Sequence, residues 1–152
     1  MSVLVIEDDE GVRDSIAGLL RDEGYHVETA GDGAEALAKL TREPLPSLIV
    51  LDLMMPGMPG EEFRAHQLAD PKWAEIPVIV ISARPDLPRR AQMLKADDYL
   101  VKPMSFEALI HAVQNRAITV ASSTGIERPS GARGLTLKEA WALLRNDRDR
   151  HS

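Results

Sequence analysis

Residues 48–60 read LIVLDLMMPGMPG: four branched apolar residues run into a carboxylate, Asp52, and the chain then breaks up in proline and glycine. A run of this kind belongs inside a sheet, where an unpaired carboxylate costs several kcal/mol. Two more acidic groups, Glu7 and Asp8, close the run SVLVI. A hydroxyl, Ser82, closes IPVIVIS, and an ammonium, Lys102, closes DYLVK, with Pro103 directly after it. Brought together, three carboxylates would repel one another and raise their own pKa values unless a cation sat among them. An all-oxygen set, small and open on one side, suits Mg²⁺, which keeps several of its waters. Lys102 would add a second positive charge and Ser82 a hydroxyl donor.

What must position these groups is a set of strands whose carboxyl ends lie side by side. Five short aliphatic or β-branched runs qualify, at residues 2–7, 25–29, 47–52, 76–82 and 98–102. The first, third and fourth are nearly continuous apolar runs, the pattern of strands covered on both faces. Helical segments separate them. Over residues 10–23, Val12, Ile16, Leu19 and Leu20 share a face and Gly24 ends the helix. Residues 33–43 present Ala34, Leu37 and Ala38 before Pro44, and residues 105–116 present Phe106, Leu109, Ile110 and Val113 behind an N-capping Ser105. Pro85 and Pro88 push any helix after Ser82 to start near residue 86 and to be short. Asp9 and Glu10 read as acidic residues at a helix N-terminus, where negative charge is favourable. The histidines at 26, 66, 111 and 151 lack metal-ligand spacing, and His66 and His111 read as surface residues of helices. Alternating strands and helices predict parallel βαβ units with right-handed crossovers. The fold expected is α/β, a doubly wound five-stranded sheet with five helices, in which ligands bind beyond the carboxyl ends of the strands where the order reverses.

Composition narrows the classes further. The 152 residues fit one domain with a short appendage, and 44% apolar with 28% charged residues is ordinary for a globular chain. No apolar run approaches the roughly 20 residues that span a bilayer, and no secretory signal opens the chain. Cysteine is absent, which excludes disulfides and thiolate metal sites and suits a reducing, cytoplasmic setting. A net charge of −6 disfavours general nucleic-acid binding.

Four motifs, VLVIEDDE, LIVLDLMMPGMPG, VIVISA and DDYLVKP, stand in this order, each at the end of a strand. With them, residues 1 to about 116 resemble the receiver domain of bacterial two-component response regulators, a CheY-like fold with strand order 2-1-3-4-5. The resemblance implies that Asp52 is a nucleophile taking a phosphoryl group from a kinase's phosphohistidine to give an acyl phosphate. It implies that Asp8 and Asp52 ligate Mg²⁺ directly, that Glu7 acts through water, and that the Met54 backbone carbonyl completes the protein's share. Ser82 and Lys102 would contact the phosphoryl oxygens, the bond to Pro103 would be cis, and Tyr99 would occupy the switch-aromatic position. Two departures touch the region receivers use as their output face. Lys95 stands where glycine is usual, and the interval from Ser82 to Tyr99 is short and carries two prolines. Met54 and Arg84 hold positions that commonly tune how fast water attacks the acyl phosphate.

The domain plan expected is a receiver over residues 1–117, a glycine- and proline-rich linker over 118–134, and a short amphipathic helix over 135–152. Thr136 and Glu139 have capping-box spacing, and Leu137, Trp141 and Leu144 form a docking face. About 35 residues beyond the receiver are too few for a helix-turn-helix effector, which needs several packed helices. Output is therefore expected through a downstream protein target, with a sensor histidine kinase or phosphotransfer protein upstream, no direct nucleic acid or membrane contact, and no separate enzymatic domain. Homodimerisation through the face near Tyr99 or the C-terminal helix is a further expectation. The rival readings are a receiver-like scaffold independent of phosphate and a Mg²⁺-dependent phospho-aspartate phosphatase. The second would want another aspartate at position 54, where the chain has methionine.

Overall fold

The structure, a computed structural model, describes residues 1–42 and 44–122, with side chains through Arg116. Five strands, β1 (Ser2–Ile6), β2 (His26–Ala30), β3 (Leu48–Asp52), β4 (Val78–Ser82) and β5 (Asp98–Val101), form one sheet in the order β2-β1-β3-β4-β5. All four pairings are parallel. Every residue of β3 and β4 is buried, as their unbroken apolar sequences require, whereas β5 at the edge alternates between half-buried and exposed.

Five helices cover the sheet: α1 (Glu10–Asp22), α2 (Gly33–Leu40), α3 (Gly60–Ala69), α4 (Leu87–Met93) and α5 (Phe106–Ser122). The pleat divides the strand side chains between two cores. Val5, Val50 and Ile81 face α1 and α5 through Ile16, Leu20, Leu109 and Val113. Leu4, Ile6, Leu51 and Val80 face α2, α3 and α4 through Leu40, Phe63 and Leu87. Fully burying a side chain such as Phe63 contributes about 1.5–3 kcal/mol each time. Capping fixes where the helices begin. Asp9 accepts from the Val12 N–H at 3.0 Å, Asp32 from Glu35 at 2.7 Å, and Ser105 from Ala108 at 3.1 Å. Gly24, at φ 93°, ends the α1 segment.

Several expectations need correction. In α2 the buried positions are Gly33, Ala36 and Leu40, while Ala34 and Ala38 are exposed. The helix ends at Leu40 instead of continuing to residue 43, and an i, i+3, i+7 stripe beginning at Gly33 is the one that meets the sheet. Phe106 opens α5 but is 55% exposed, and Ala112 takes a core place beside Leu109 and Val113. The backbone of α5 runs to Ser122, five residues into the stretch expected to be linker. The rest of that linker and the Leu137, Trp141 and Leu144 face lie outside the described residues.

The turn that follows β3 depends on glycine. Gly57 has φ 78°, and a Cβ on Gly60 would lie 2.7 Å from both the Asp52 carbonyl oxygen and the Leu53 Cα. The start of α3 is thus packed directly onto the end of the strand that carries Asp52. Gly60→Ala is expected to destabilise the protein by about 2–4 kcal/mol in urea unfolding, because backbone and not a flexible side chain must yield. A loss below about 0.5 kcal/mol would show that this close approach is not kept in solution.

Candidate functional site

The strand order reverses between β1 and β3, and the acidic groups gather there. Register pairs Ile6 with Leu51, and Asp52 with Ile81. One step onward the chain places Glu7 beside Asp52, with Ser82 ending the next strand. Carboxylate oxygens of Glu7, Asp8 and Asp52 all lie within 4.8 Å of one another. Glu7 and Asp52 are each only 2% exposed, whereas Asp8 faces solvent and leaves the cluster open on one side. The Met54 N–H donates to Asp52 Oδ1 at 3.0 Å, fixing one carboxylate oxygen.

Lys102 enters from the end of β5, where its N–H donates to the Ser82 carbonyl at 2.9 Å. Its Nζ lies 3.2 Å from both oxygens of Glu7 and 3.4 Å from Asp52 Oδ2. The Lys102–Pro103 peptide is cis. Burial alone would lower the lysine's pKa, but the charges of Asp52 and Glu7 outweigh it and hold it above the ordinary value. Glu7 is also shifted upward, which for a carboxyl group favours the neutral form. Burial, then the neighbouring Asp52 carboxylate, push its pKa from 4.5 up to about 7, against the pull of Lys102. Three clustered carboxyl groups, two of them sharing one ammonium, leave room for more positive charge. The donor set is all oxygen, which fits a hard divalent cation such as Mg²⁺.

Ser82 is fully buried, and its Oγ accepts from the Arg84 N–H at 3.1 Å. Glu7, Asp8, Asp52 and Lys102 therefore form one polar group, with Ser82 beside it at the end of β4. Met54 extends a 57% exposed side chain at the rim, and Tyr99 is 40% exposed on β5. The link from Lys102 to Glu7 was not foreseen; reading strand ends brings the two groups near without saying which carboxylate the ammonium chooses.

A second polar group escaped the sequence reading altogether. Arg64 and Gln67, both buried in α3, bond to each other at 2.7 Å. Arg64 also donates to the carbonyls of Leu94 and Lys95, and Gln67 to those of Trp73 and Ile76. Burial lowers the Arg64 pKa to about 10, with the Asp97 charge opposing, so the guanidinium remains charged at neutral pH. The signal was present: Gly60, Phe63, Arg64 and Gln67 fall at i, i+3, i+4 and i+7, the spacing of a buried face.

Comparison with known proteins agrees with the fold. The family model for the response regulator receiver domain matches residues 3–114. Response regulator RR06 of Streptococcus pneumoniae is 42% identical over 118 residues, covering 75% of this chain and 52% of its own length. Response regulator MprA of Mycobacterium leprae is 39% identical over 116 residues, covering 75% of this chain and 50% of its own. Among solved structures, the chemotaxis response regulator CheY4 of Vibrio cholerae superposes with a TM-score of 0.70 at 32% identity, over 76% of this chain and 97% of that one. The receiver domain of Francisella response regulator 1452 gives 0.69 at 31% identity, over 78% and 98%. The chain belongs to the response regulator receiver domain family of two-component systems. It spans about half the length of the curated relatives it matches. Among the described residues, no helix is long and apolar enough to cross a membrane.

Proposed function

We propose that this receiver domain is a phosphorylation-controlled switch in which Asp52 accepts a phosphoryl group from a kinase or phosphotransfer protein's phosphohistidine. The observation that carries the reading is the junction of three carboxylates and one ammonium at the strand-order reversal, with Asp52 at its centre. A carboxylate oxygen of Asp52 attacks phosphorus, the bond from phosphorus to the imidazole nitrogen breaks, and the imidazole leaves with its electron pair and takes a proton from water. The product is an acyl phosphate. Carboxylates are weak nucleophiles but are ionised at neutral pH, so no general base is needed. Most of the acceleration in phosphoryl transfer comes from alignment and charge neutralisation, and this site is built for those.

Each residue then has a task. Asp8 and Asp52, with the Met54 carbonyl, would hold Mg²⁺, and Glu7 would orient it through water. Bound there, the ion supplies positive charge opposite the phosphoryl oxygens. The Met54 N–H holds Asp52 Oδ1 and so leaves its other oxygen to react. Lys102, already 3.4 Å from Asp52, would swing its charge from Glu7 toward the new phosphoryl group, and Ser82 would turn its hydroxyl to donate. Tyr99 would report the change on the β5 face to a downstream protein. Retention of the whole acid, hydroxyl and lysine set favours this over a phosphate-independent scaffold.

Incubation with acetyl phosphate or phosphoramidate and Mg²⁺ is expected to add the mass of one phosphoryl group to the intact protein. Omitting Mg²⁺ or introducing Asp52→Asn should abolish the gain. Equal labelling of the Asp52→Asn protein would overturn the assignment.

A further inference from the structure

The three carboxylates of the site are not held alike. Lys102 reaches both oxygens of Glu7, and Asp52 is held by Lys102 and the Met54 N–H. Asp8 is exposed, and among the described residues no group bonds its carboxylate. Its place in the cluster is therefore set by its backbone.

That backbone is held from α1. The Glu7 N–H donates to the Ala30 carbonyl at 3.0 Å, and Arg13 Nη1 donates to the Glu7 carbonyl at 3.1 Å. The second bond fixes the peptide plane that joins Glu7 to Asp8. A charged donor makes it stronger than a neutral pair would be. On the other side of Asp8, the Asp9 carbonyl accepts from the Arg13 N–H at 2.8 Å. The half-buried guanidinium pairs with no acid among the described residues, so the carbonyl is what it serves. The end of β2 leaves space for it. A Cβ on Gly31 would lie 3.0 Å from Arg13 Nη1 and 3.6 Å from Glu35 Oε2. Gly24 and Gly57 are the glycines at positive φ, so at Gly31 close approach and not backbone conformation calls for glycine.

We infer that Arg13 is a positioning residue for Mg²⁺: its bond to the Glu7 carbonyl turns Asp8 into the cluster, and Gly31 makes room for that bond. The inference rests on the proposed role of Asp8 as a metal ligand. A bare charge effect has the opposite sign, because removing one cation beside the carboxylates favours another. Titration of the full chain with Mg²⁺, followed by amide NMR shifts at Asp8 and Asp9, separates the two. Arg13→Met should raise the Mg²⁺ dissociation constant about fivefold, the scale of one hydrogen bond. Arg13→Lys, whose ammonium can donate to the same carbonyl, should stay within about twofold of the unmodified protein. Gly31→Val, which crowds the guanidinium, should weaken binding about threefold. Phosphoryl uptake by Arg13→Met should be slowest at limiting Mg²⁺, and the loss should shrink as Mg²⁺ is raised. Tighter binding by Arg13→Met would overturn the inference. So would a lowered urea midpoint with unchanged Mg²⁺ affinity, the mark of a merely structural arginine. If Arg13→Met does not fold, Gly31→Val decides by the same criteria. An unmodified protein that binds no Mg²⁺ would sink the phosphoryl-acceptor reading together with this inference, whereas normal binding in all the variants sinks this inference alone.

Discussion

Lys102→Met is expected to slow phosphoryl uptake from a small donor by about a hundredfold at saturating Mg²⁺, the scale of losing one positioned stabilising charge. In the resting site the ammonium bridges Glu7 and Asp52, and it is the one cation paired with either carboxylate among the described residues. Methionine preserves much of the stem's length and packing but removes that charge. Without added metal the same change should destabilise the fold by about 1–3 kcal/mol at pH 7, since two buried carboxyl groups lose their partner. Partial solvent access to Lys102 keeps the figure below that of a fully buried pair. Lys102→Arg should restore part of the stability and little of the rate, because a planar guanidinium cannot occupy the place of a compact ammonium. Single-turnover labelling followed by intact mass reads the rate. A Lys102→Met rate within about threefold of the unmodified protein would remove the lysine from the transfer step.

The second large effect is a dependence on pH that runs against the usual direction for carboxylates. Glu7 is held near pKa 7, above its ordinary 4.5. The folded protein therefore binds this proton more tightly than the unfolded chain does. Its stabilising contribution is complete below about pH 4.5 and is lost as pH rises through about 7. Without metal, that loss should be on the order of 2–3 kcal/mol. The measurement is the difference in unfolding free energy between the unmodified protein and Glu7→Gln at each pH, which isolates this one group. The difference should move against the unmodified protein between pH 5 and 8. Mg²⁺ should act in the opposite sense, because a cation competes with the proton. If binding needs Glu7 ionised, the apparent affinity should rise about thirtyfold from pH 5.5 to 8, and Glu7→Gln should flatten the profile. Parallel stability curves for the two proteins would contradict the assigned protonation of Glu7.

How much of this was legible in the sequence depended on which physical signal each residue carried. The runs at β1, β3 and β4 are doubly covered, so their apolar continuity announced both the strands and the parallel sheet. The groups closing those runs had to be neighbours once the order β2-β1-β3 was fixed, and Glu7, Asp8 and Asp52 are. Alanine gave a poor guide in α2, since it is tolerated on either face; Ala34 and Ala38 point outward while Ala36 is buried. Phe106 misled in a similar way, because apolar character is a one-way rule and the end of an edge element can leave an aromatic exposed. Arg64 and Gln67 were hidden for the converse reason. Their polarity spoke for the surface, while their spacing with Phe63 spoke for the core, and the core prevailed because backbone carbonyls of Leu94, Lys95, Trp73 and Ile76 receive their hydrogens. Lys95, where the resemblance expects glycine, takes a left-handed φ of 53°.

The most direct measurement is to trap the phosphorylated carboxyl group itself. After brief reaction with phosphoramidate and Mg²⁺, borohydride reduces an acyl phosphate to an alcohol, releasing phosphate and converting the modified aspartate to homoserine. Peptide mass spectrometry should then find homoserine at position 52, in proportion to the phosphoryl gained and only when Mg²⁺ was present. Homoserine at another acidic position, or none in a protein that has demonstrably gained phosphate, would contradict the assignment of Asp52 as the acceptor.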